Sequence, residues 1–230
     1  MARGKLIVID GTDGSGKATQ VALLIKQLKK DGHTVKVVDF PEYYSNFFGA
    51  FVGHCLSEQY YNFVKVHPKI ASVLYAADRF ESKNKIEKWL AAGSIVLANR
   101  YASANQIHQG GKIANTKKRE NFLKWLAEME YDVFKIPQPD KVFYLSVPIP
   151  VVLKLIKERN KSAGRKYLKG KKDVHEKDVK FLEHSRKSAL WLAKTQKGWT
   201  KIECMEAGKL KSREAIHDEI YKQVRKILKN

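Results

Sequence analysis

An apolar run at residues 6–9 leads directly into the glycine-rich segment 11–17, and a stretch with helical spacing of apolar residues follows it. Segment 11–17 matches G-x-x-x-x-G-K between a predicted strand and a predicted helix, the context in which that spacing forms a phosphate-binding loop. The glycines let successive backbone N–H groups turn inward around an anion, and the helix N-terminus adds its positive dipole end. The predicted phosphate-binding residues are Gly11, Thr12, Asp13, Gly14, Ser15, Gly16, Lys17, Ala18 and Thr19.

The residue after the loop lysine departs from the usual form of this motif. That position normally carries a Ser or Thr whose hydroxyl contacts Mg²⁺, but here it is Ala18. The next residue, Thr19, is rotated about a quarter-turn away along a helix. We therefore expect Mg²⁺ to be held by phosphate oxygens, water and another carboxylate, and Asp13 inside the loop is the nearest candidate.

Strand-like and helix-like segments alternate along the chain. The predicted strands are 6–9, 35–40, 94–98, 141–147 and 199–204, and the predicted helices are 17–31, 70–90, 121–129, 150–160, 175–194 and 212–228. This alternation predicts an α/β fold, a three-layer doubly wound parallel sheet with helices on both faces. Because there is no internal repeat or long linker, residues 1–230 are predicted to form a single domain.

The composition limits the class of protein. Lys and Arg number 44 against 24 Asp and Glu, giving a formal net charge of +20. Such an excess attracts polyanions, but the lysines are spread along the chain and no nucleic-acid-binding signature accompanies them, which favours a solvated basic surface. No apolar run approaches the roughly 20 residues that cross a bilayer. Cys55 and Cys204 lack CxxC or metal-ligand spacing, so we expect reduced thiols and a cytoplasmic location.

A pair of candidate ligand-binding residues lies in the predicted helix 70–90. Tyr75 and Arg79 are four residues apart and share one helical face. An aromatic ring beside a guanidinium can stack on a nucleobase and pair with its phosphate. The same spacing also occurs in an ordinary amphipathic helix with a buried tyrosine and a surface arginine, so the pair gains weight only from its context.

That context comes from the strand 94–98, which ends in Asn99-Arg100-Tyr101. Ligands of open α/β folds bind at the carboxyl edge of the sheet, so Arg100 is expected to point over the same edge as the phosphate loop. The polar run that follows includes Asn105 and His108, and amide groups can read the edge of a pyrimidine.

A basic connector at 161–172 includes Arg165 and Lys166 among glycine and lysine. A mobile basic segment can close over transferring phosphates, supply positive charge and exclude water. The connector is therefore predicted to be a lid that carries a catalytic arginine, Arg165, although a solvated charged loop has the same composition.

These segments together resemble the thymidylate kinase family of P-loop nucleoside monophosphate kinases. The resemblance rests on the loop with its internal aspartate, FPEY after the second strand, YAADR, NRY and the basic connector, and it runs through most of the chain. It implies the P-loop nucleoside-phosphate-kinase fold with a basic lid, and a homodimer. The substrate-binding residues that it implies are Asp13, Tyr43, Tyr75, Arg79, Arg100, Asn105 and His108.

The resemblance also assigns roles to these residues. Asp13 would contact the 3′-hydroxyl of the monophosphate and help to organise magnesium, and the ring of Tyr75 would stack on thymine. Arg79 and Arg100 would hold the base and the 5′-phosphate. The residue matching Asn105 lies beside the thymine. Tyr43 of the FPEY segment would lie near the acceptor phosphate.

Three positions depart from the family pattern. Asn99 replaces the aspartate of Asp-Arg-Tyr, which removes a carboxylate near the metal. Glu42 stands in the segment where family members often carry an arginine. His108 occupies a position where a tyrosine often limits the room for a ribose 2′-hydroxyl, so discrimination against dUMP or ribonucleotides is expected to be looser here.

The expected activity is transfer of the γ-phosphoryl group of ATP to dTMP, giving ADP and dTDP, with Mg²⁺. Lys17, Arg100 and Arg165 would be catalytic, and positioning with charge stabilisation would suffice because the acceptor oxygen is already anionic. Two alternatives remain open. One is a kinase for another deoxynucleotide or a deoxynucleoside on the same scaffold, and the other is a basic P-loop ATPase that binds nucleic acid.

Overall fold

A computed structural model describes residues 3–57, 63–162 and 178–229 of the chain, apart from the side chains of 160–162. Its main sheet has five parallel strands in the spatial order β2-β3-β1-β4-β5. These strands are β1 (Leu6–Asp10), β2 (Val35–Asp39), β3 (Ile95–Asn99), β4 (Lys141–Ser146) and β5 (Trp199–Glu203). The predicted doubly wound parallel sheet is confirmed.

Helices connect these strands and cover the sheet. They are α1 (Lys17–Lys30), α2 (Phe47–Leu56), α3 (Pro68–Glu81), α4 (Lys83–Ala91), α5 (Ala102–Gly111), α6 (Thr116–Ala127), α7 (Ile149–Ser162), α8 (Val179–Thr195) and α9 (Arg213–Lys229). A 3₁₀ turn spans Phe63–Lys65, a π-helical segment spans Glu128–Val133, and a small antiparallel hairpin pairs β6 (Met205–Glu206) with β7 (Lys209–Leu210). None of the helices in the described ranges combines the length and apolarity that crossing a membrane requires.

The central strand is apolar on both faces because each face is covered. Ile7 and Ile9 pack in a cluster with residues of α1, α7 and α9, such as Leu24. Leu6 and Val8 point the other way, into a cluster with residues of α4 and the chain after β3. All four β1 side chains are fully buried, which explains why the run at 6–9 does not alternate with polar residues.

The single predicted helix 70–90 is wrong, because the structure has two helices there. Helix α3 ends and α4 begins at Ser82, whose hydroxyl donates to Glu42 Oε1 at 2.6 Å. Hydrophobic periodicity alone did not reveal this break, since Ile86 and Leu90 continue an apolar face after it.

Helices α2 and α5 are not predicted by the sequence analysis. Helix α5 was read only as a polar run, since its sequence ASANQIHQGG lacks apolar periodicity. It is buried all the same, because its small residues allow close packing on α8, and a Cβ on Gly111 would lie 3.0 Å from the backbone of His184. Helix α2 was also missed, and α6 begins earlier than predicted, at a cap where Asn115 Oδ1 accepts from Lys118 N–H at 2.9 Å. Residues 163–177, with most of the predicted lid and Arg165, lie outside the described residues.

Candidate active site

The site forms where the carboxyl ends of β1 and β3 meet. Ile9 pairs with Asn99 across these parallel strands, and Arg100 N–H donates to Ile9 O at 3.1 Å. The phosphate loop leaves β1 at this edge, and Arg100 leaves β3 beside it. The sheet register therefore places the two predicted anion-binding segments next to each other, as the sequence predicts.

The backbone of the phosphate loop needs its glycines. Gly14 and Gly16 have φ values of 80° and 89°, in the left-handed region that side chains disfavour. At Gly14 there is also no room, since a Cβ would lie 2.7 Å from Ile156 Cγ1 in α7. Gly16 is the N-cap of α1, so the loop ends at a helix N-terminus whose amide groups can bind phosphate.

The ammonium group of Lys17 lies over the loop itself. It is 6% exposed, and Nζ donates to the carbonyl oxygens of Gly11 and Thr12 at 2.9 Å each. A lysine held at the first turn of the helix and facing the loop can reach phosphate groups cradled there.

Asp10, directly before the loop, is a structural carboxylate that sequence reasoning missed. Its Oδ1 accepts from Gly11 N–H at 2.8 Å, and its Oδ2 accepts from the Ser103 hydroxyl at 2.5 Å. Burial raises the pKa of Asp10, and the nearby Arg100 guanidinium offsets part of that rise. The residue thus ties the start of the loop to α5.

The phosphate loop opens into a cavity of about 530 Å³, called here the donor cavity. Its lining includes four cationic residues from outside the loop, namely Arg100 after β3, Arg159 of α7, Lys211 after β7 and Arg213 of α9. Three buried oxygens of its lining residues, Ser15 Oγ, Gln20 Oε1 and Asn99 Oδ1, make no hydrogen bond within the described chain. Buried polar atoms are rarely left without partners, so these oxygens are sites at which water or a polar ligand can bind.

Asn99, the replacement for the family's aspartate, is oriented by a carboxylate on the neighbouring strand. Its Nδ2 donates to Asp39 Oδ1 at 2.8 Å, and the two residues are partners in the β2–β3 register. The amide nitrogen is therefore used, and the unpartnered Oδ1 belongs to a residue that lines the donor cavity. Asp39 was not singled out from the sequence, although its place at the end of β2 puts it at the ligand-binding edge.

A second pocket, called here the acceptor pocket, lies against the donor cavity and is narrower, about 40 Å³. It contains every substrate-binding residue that the resemblance implied: Asp13, Tyr43, Tyr75, Arg79, Arg100, Asn105 and His108. Phe40, Pro41, Leu56, Tyr101, Ala104 and Gln109 complete its lining. Two further buried atoms there, Tyr101 Oη and Gln109 Oε1, have no hydrogen-bond partner among the described residues.

Arg79 forms the polar floor of the acceptor pocket and is 2% exposed. It forms a bidentate ion pair with Glu130, in which Nε donates to Oε2 at 3.0 Å and Nη2 donates to Oε1. Burial lowers the pKa of Arg79, but the Glu130 carboxylate outweighs that effect and leaves the pKa raised. Arg79 is thus an oriented donor whose charge is already balanced, which suits a base better than a phosphate.

Tyr75 and His108 of the acceptor pocket both contact aromatic rings. The ring of Tyr75 lies 5.7 Å from that of Phe63. The imidazole of His108 stacks on Phe181 of α8 at 5.8 Å, and its Nδ1 lies 3.0 Å from the Ser185 hydroxyl. Helix α8 therefore fixes His108 in the pocket wall.

Arg100 and Asp13 lie between the two pockets and line both. Arg100 Nη2 donates to Asp13 Oδ1 across the edge of the sheet. The backbone of Arg100 has φ of 64°, an uncommon conformation for a residue with a side chain. Such strain persists only where the surroundings impose it, and it is common at functional sites.

The loop that carries Tyr43 is held by carboxylates from α3. Asp78 Oδ2 accepts from Glu42 N–H at 3.1 Å, and its Oδ1 accepts from Asn46 Nδ2 at 2.9 Å. Burial raises the pKa of Asp78 from 3.8 to about 6, although hydrogen bonds from Asn46 and the Glu42 amide oppose it. The Glu42 side chain in turn accepts from Ser82 and Lys85, and these bonds lower its pKa despite burial. Glu42 thus anchors the loop.

The fold and the two pockets define a class of protein. A parallel sheet with a phosphate loop after its central strand and a second polar and aromatic pocket at the same edge is the arrangement of a P-loop kinase. Residues 9–220 match the sequence model of thymidylate kinase. The chain belongs to the thymidylate kinase family.

Relatives of known name agree with this membership. Thymidylate kinase of Plasmodium falciparum (isolate 3D7) is 31% identical over 146 residues, covering 64% of this chain and 63% of that protein. Human thymidylate kinase is 30% identical over 148 residues, with coverage of 64% and 63%. The match thus spans less than two thirds of the length of these two relatives. A probable thymidylate kinase of Thermococcus onnurineus is 29% identical over 183 residues, covering 77% and 83%.

The fold itself has a solved counterpart. The structure of thymidylate kinase from Candida albicans matches with a TM-score of 0.72 over 98% of this chain and 93% of that chain, at 20% sequence identity. The likeness extends beyond the aligned sequence segments to nearly the whole fold.

Proposed function

We propose that this protein transfers the γ-phosphoryl group of ATP to the 5′-phosphate of dTMP, giving ADP and dTDP. The observation that carries the proposal is the pair of pockets that share Asp13 and Arg100 at one edge of the sheet. Two anionic ligands in such pockets would meet at the shared residues, which is the geometry that in-line phosphoryl transfer needs.

The donor cavity would hold ATP by its phosphates. The loop amides and the N-terminus of α1 bind the phosphate chain, and Lys17 neutralises its terminal groups. Arg159 and Arg213, which sequence reasoning did not single out, line the outer part of the cavity and add positive charge. Arg165, outside the described residues, remains the proposed catalytic arginine of the lid.

The acceptor pocket would hold dTMP by its base, sugar and phosphate. Arg79 offers N–H donors to the thymine O4, and Asn105 Oδ1 can accept from the thymine N3–H. Tyr75 lies in position to contact the face of the ring. Asp13 faces the sugar, and Arg100 holds the 5′-phosphate, with Tyr43 on the neighbouring wall.

The proposed reaction needs no general base among the side chains. The attacking atom is a phosphate oxygen of dTMP that is already anionic, so no side chain has to remove a proton. Arg100 lies where both phosphates would meet, and it can stabilise the charge that moves between them. Positioning and electrostatic stabilisation are therefore the proposed sources of catalysis.

Mg²⁺ fits the donor cavity. The buried Asn99 Oδ1 lacks a hydrogen-bond partner among the described residues, and Mg²⁺ takes oxygen ligands. Mg²⁺ keeps several waters and binds substrate phosphates together with one or two protein groups, so ATP and water would supply most of its ligands here. Asn99 and Asp13 would be its protein contacts. The ion would neutralise charge on the β- and γ-phosphates.

The proposal is tested by a coupled ADP-release assay with ATP and each of dTMP, dUMP, UMP, dCMP and dGMP, with thymidine as a nucleoside acceptor. We expect dTMP to give the highest kcat/KM. An inert dTMP beside an active dCMP, dGMP or thymidine would assign the scaffold to another kinase. Oligonucleotide titration addresses the remaining alternative, since tight, steeply salt-dependent binding without dTMP phosphorylation would identify a nucleic-acid-binding ATPase.

We further propose a homodimer that functions in the cytoplasm. Helix α3 has an exposed apolar stripe that includes Ile70, Val73 and Phe80, and Phe47 of α2 is 73% exposed. A second copy of the chain would cover such a stripe. Sedimentation analysis should show a dimer, and the double variant Ile70→Glu/Phe80→Glu should sediment as a monomer. A wild-type monomer at micromolar concentration would refute the dimer.

A further inference from the structure

Glu130 lies behind the acceptor pocket and is not among the side chains that line it. It belongs to the π-helical segment that follows α6 and is 1% exposed. Its Oε2 accepts from Arg79 Nε at 3.0 Å, and its Oε1 accepts from Arg79 Nη2 and from Asn105 Nδ2, the latter at 3.1 Å. One buried carboxylate therefore contacts both residues that would read the base.

These contacts fix which way round the Asn105 amide lies. One hydrogen of Nδ2 goes to Glu130 Oε1 and the other goes to the Ser72 carbonyl oxygen, each at 3.1 Å. Both partners are acceptors, so a flipped amide would point its own oxygen at two oxygens. Oδ1 is the atom of the Asn105 amide that remains to accept, and Asn105 lines the acceptor pocket.

The same carboxylate orients Arg79. Two of the five guanidinium N–H groups are used by Glu130, and the bidentate geometry fixes the plane of the group. The remaining N–H groups of Arg79 are the donors available to the acceptor pocket. The pocket therefore offers donors from Arg79 together with an acceptor from Asn105.

We propose that Glu130 is a positioning residue that determines base specificity, an inference that rests on the proposed function. A pyrimidine with a C4 carbonyl and an N3–H group, thymine or uracil, matches this donor and acceptor. Cytosine carries an amino group and a bare ring nitrogen at the same two places, so it would leave buried groups facing like groups. A site built in this way rejects the mismatched ligand because its own polar groups go unpaired.

The test is equilibrium binding of dTMP, dUMP and dCMP without ATP, measured by calorimetry on the full chain. We expect the wild-type protein to bind dTMP and dUMP more tightly than dCMP by on the order of 100-fold. In Glu130→Gln the side-chain shape is kept but one acceptor becomes a donor, so the dTMP-to-dCMP ratio should fall by about tenfold or more. Glu130→Asp keeps the carboxylate and should retain more of the preference.

Leu126→Ala is the matched control, because it removes a buried apolar side chain from the end of α6, close to Glu130 in the chain, that has no polar atom with which to orient Arg79 or Asn105. It should lower the melting temperature and leave the ratio unchanged. The proposal is overturned if Glu130→Gln keeps the wild-type ratio, or if Leu126→Ala lowers it equally.

If the Glu130→Gln variant does not fold, the proposal can be tested by a measurement on the wild-type protein. The Asn105 carboxamide protons should exchange slowly in NMR, and solvent-like exchange would overturn the proposal. If Glu130→Gln lowers the dTMP-to-dCMP ratio but the wild-type protein phosphorylates no nucleotide, only the proposed function is refuted. If the wild type is an active dTMP kinase and the variant keeps the ratio, only the role of Glu130 is refuted. A wild-type protein that binds none of dTMP, dUMP and dCMP would refute both.

Discussion

The donor cavity and the acceptor pocket differ in volume and in the part of the chain that lines them. The donor cavity is wide, about 530 Å³, and eight consecutive residues of the loop and the start of α1, 13–20, contribute to its lining. The acceptor pocket is narrow, about 40 Å³, and is built from side chains of segments far apart in the sequence. A backbone cradle binds any polyphosphate, whereas a side-chain pocket can select one base.

The cationic side chains of the two sites also differ in their partners. Lys17 donates to the carbonyl oxygens of Gly11 and Thr12, and its charge also acts on the buried Asp10 carboxylate, whose pKa is raised by burial and partly lowered by this charge. Both arginines of the acceptor pocket form ion pairs with carboxylates, Arg79 with Glu130 and Arg100 with Asp13. A pre-paired arginine costs less to bury and has a fixed direction, so it gives specificity more than affinity. We therefore expect the donor side to supply attraction for a polyphosphate and the acceptor side to supply selection of the base.

The largest expected effect comes from Lys17→Ala. Turnover should fall by about a thousandfold, roughly 4 kcal/mol of transition-state stabilisation, because the charge on the terminal phosphates is lost. Affinity for dTMP should stay within about twofold, since Lys17 is not part of the acceptor pocket. Steady-state kinetics and dTMP calorimetry measure the two quantities, and thermal melting checks the fold. An equal loss of dTMP affinity would show that the pockets are not independent.

Asp78 gives a pH test of the acceptor side. Its pKa in the folded protein, about 6, lies above the ordinary 3.8. Its contribution to stability is therefore complete below pH 3.8 and is lost as the pH rises through 6. A displacement of that size corresponds to roughly 3 kcal/mol. Asp78→Asn does not titrate, so the wild type should lose up to about that much stability relative to the variant between pH 4 and pH 7.

Urea unfolding at a series of pH values measures this difference. The groups that face Asp78 are Arg79, Asn46 and Glu42, and of these only Glu42 titrates at acidic pH. The pKa of Glu42 is lowered from 4.5, so the window above pH 5 isolates Asp78. A wild-type minus variant difference that is flat from pH 5 to pH 7 would mean that Asp78 is not buried as a titrating acid.

Arg100 tests the boundary between the pockets. Arg100→Ala should lower kcat/KM for dTMP by about 100-fold, because the shared guanidinium is lost, and mainly through the acceptor. Arg100→Gly is the matched control, since it removes the same group but relieves the positive φ, which costs roughly 1 kcal/mol in a residue with a side chain. The two variants should share their kinetics and differ in melting temperature. Normal dTMP kinetics in either one would overturn the role of Arg100.

The strand, loop and helix of the donor side could be predicted from the sequence because the information for them is local. A strand, a glycine loop with a lysine and a helix follow one another within about 25 residues, and each has its own pattern. The edge position of Arg100 also followed from general rules on parallel sheets. The single-domain organisation and the lid at 161–172 stay predictions.

The acceptor side was only partly predictable. Spacing and the sheet edge pointed to part of its lining, and the resemblance added Asp13 and Tyr43. Glu130 and Asp78 were not singled out, since a lone acidic residue in a helix has no local pattern that marks it as buried. Only the fold brings Glu130 to Arg79, 51 positions away in the chain. The break at Ser82 was also missed, and the hydrogen bond of Ser82 to Glu42, 40 positions away in the chain, likewise exists only in the folded protein.

The smallest effect is expected for Ala18→Ser, which restores the hydroxyl that the phosphate-loop motif usually supplies. Ala18 is exposed and lines the donor cavity, so a serine there fits without strain. If Asn99 and Asp13 already serve Mg²⁺, one more oxygen can replace only a bound water, and the Mg²⁺-dependent affinity for ADP should rise by no more than about threefold. Calorimetry with ADP across Mg²⁺ concentrations measures this, with Thr19→Ala as the control. A gain of 100-fold would mean that the wild-type ion lacks an essential ligand, and Asn99 Oδ1 would then lose its proposed role.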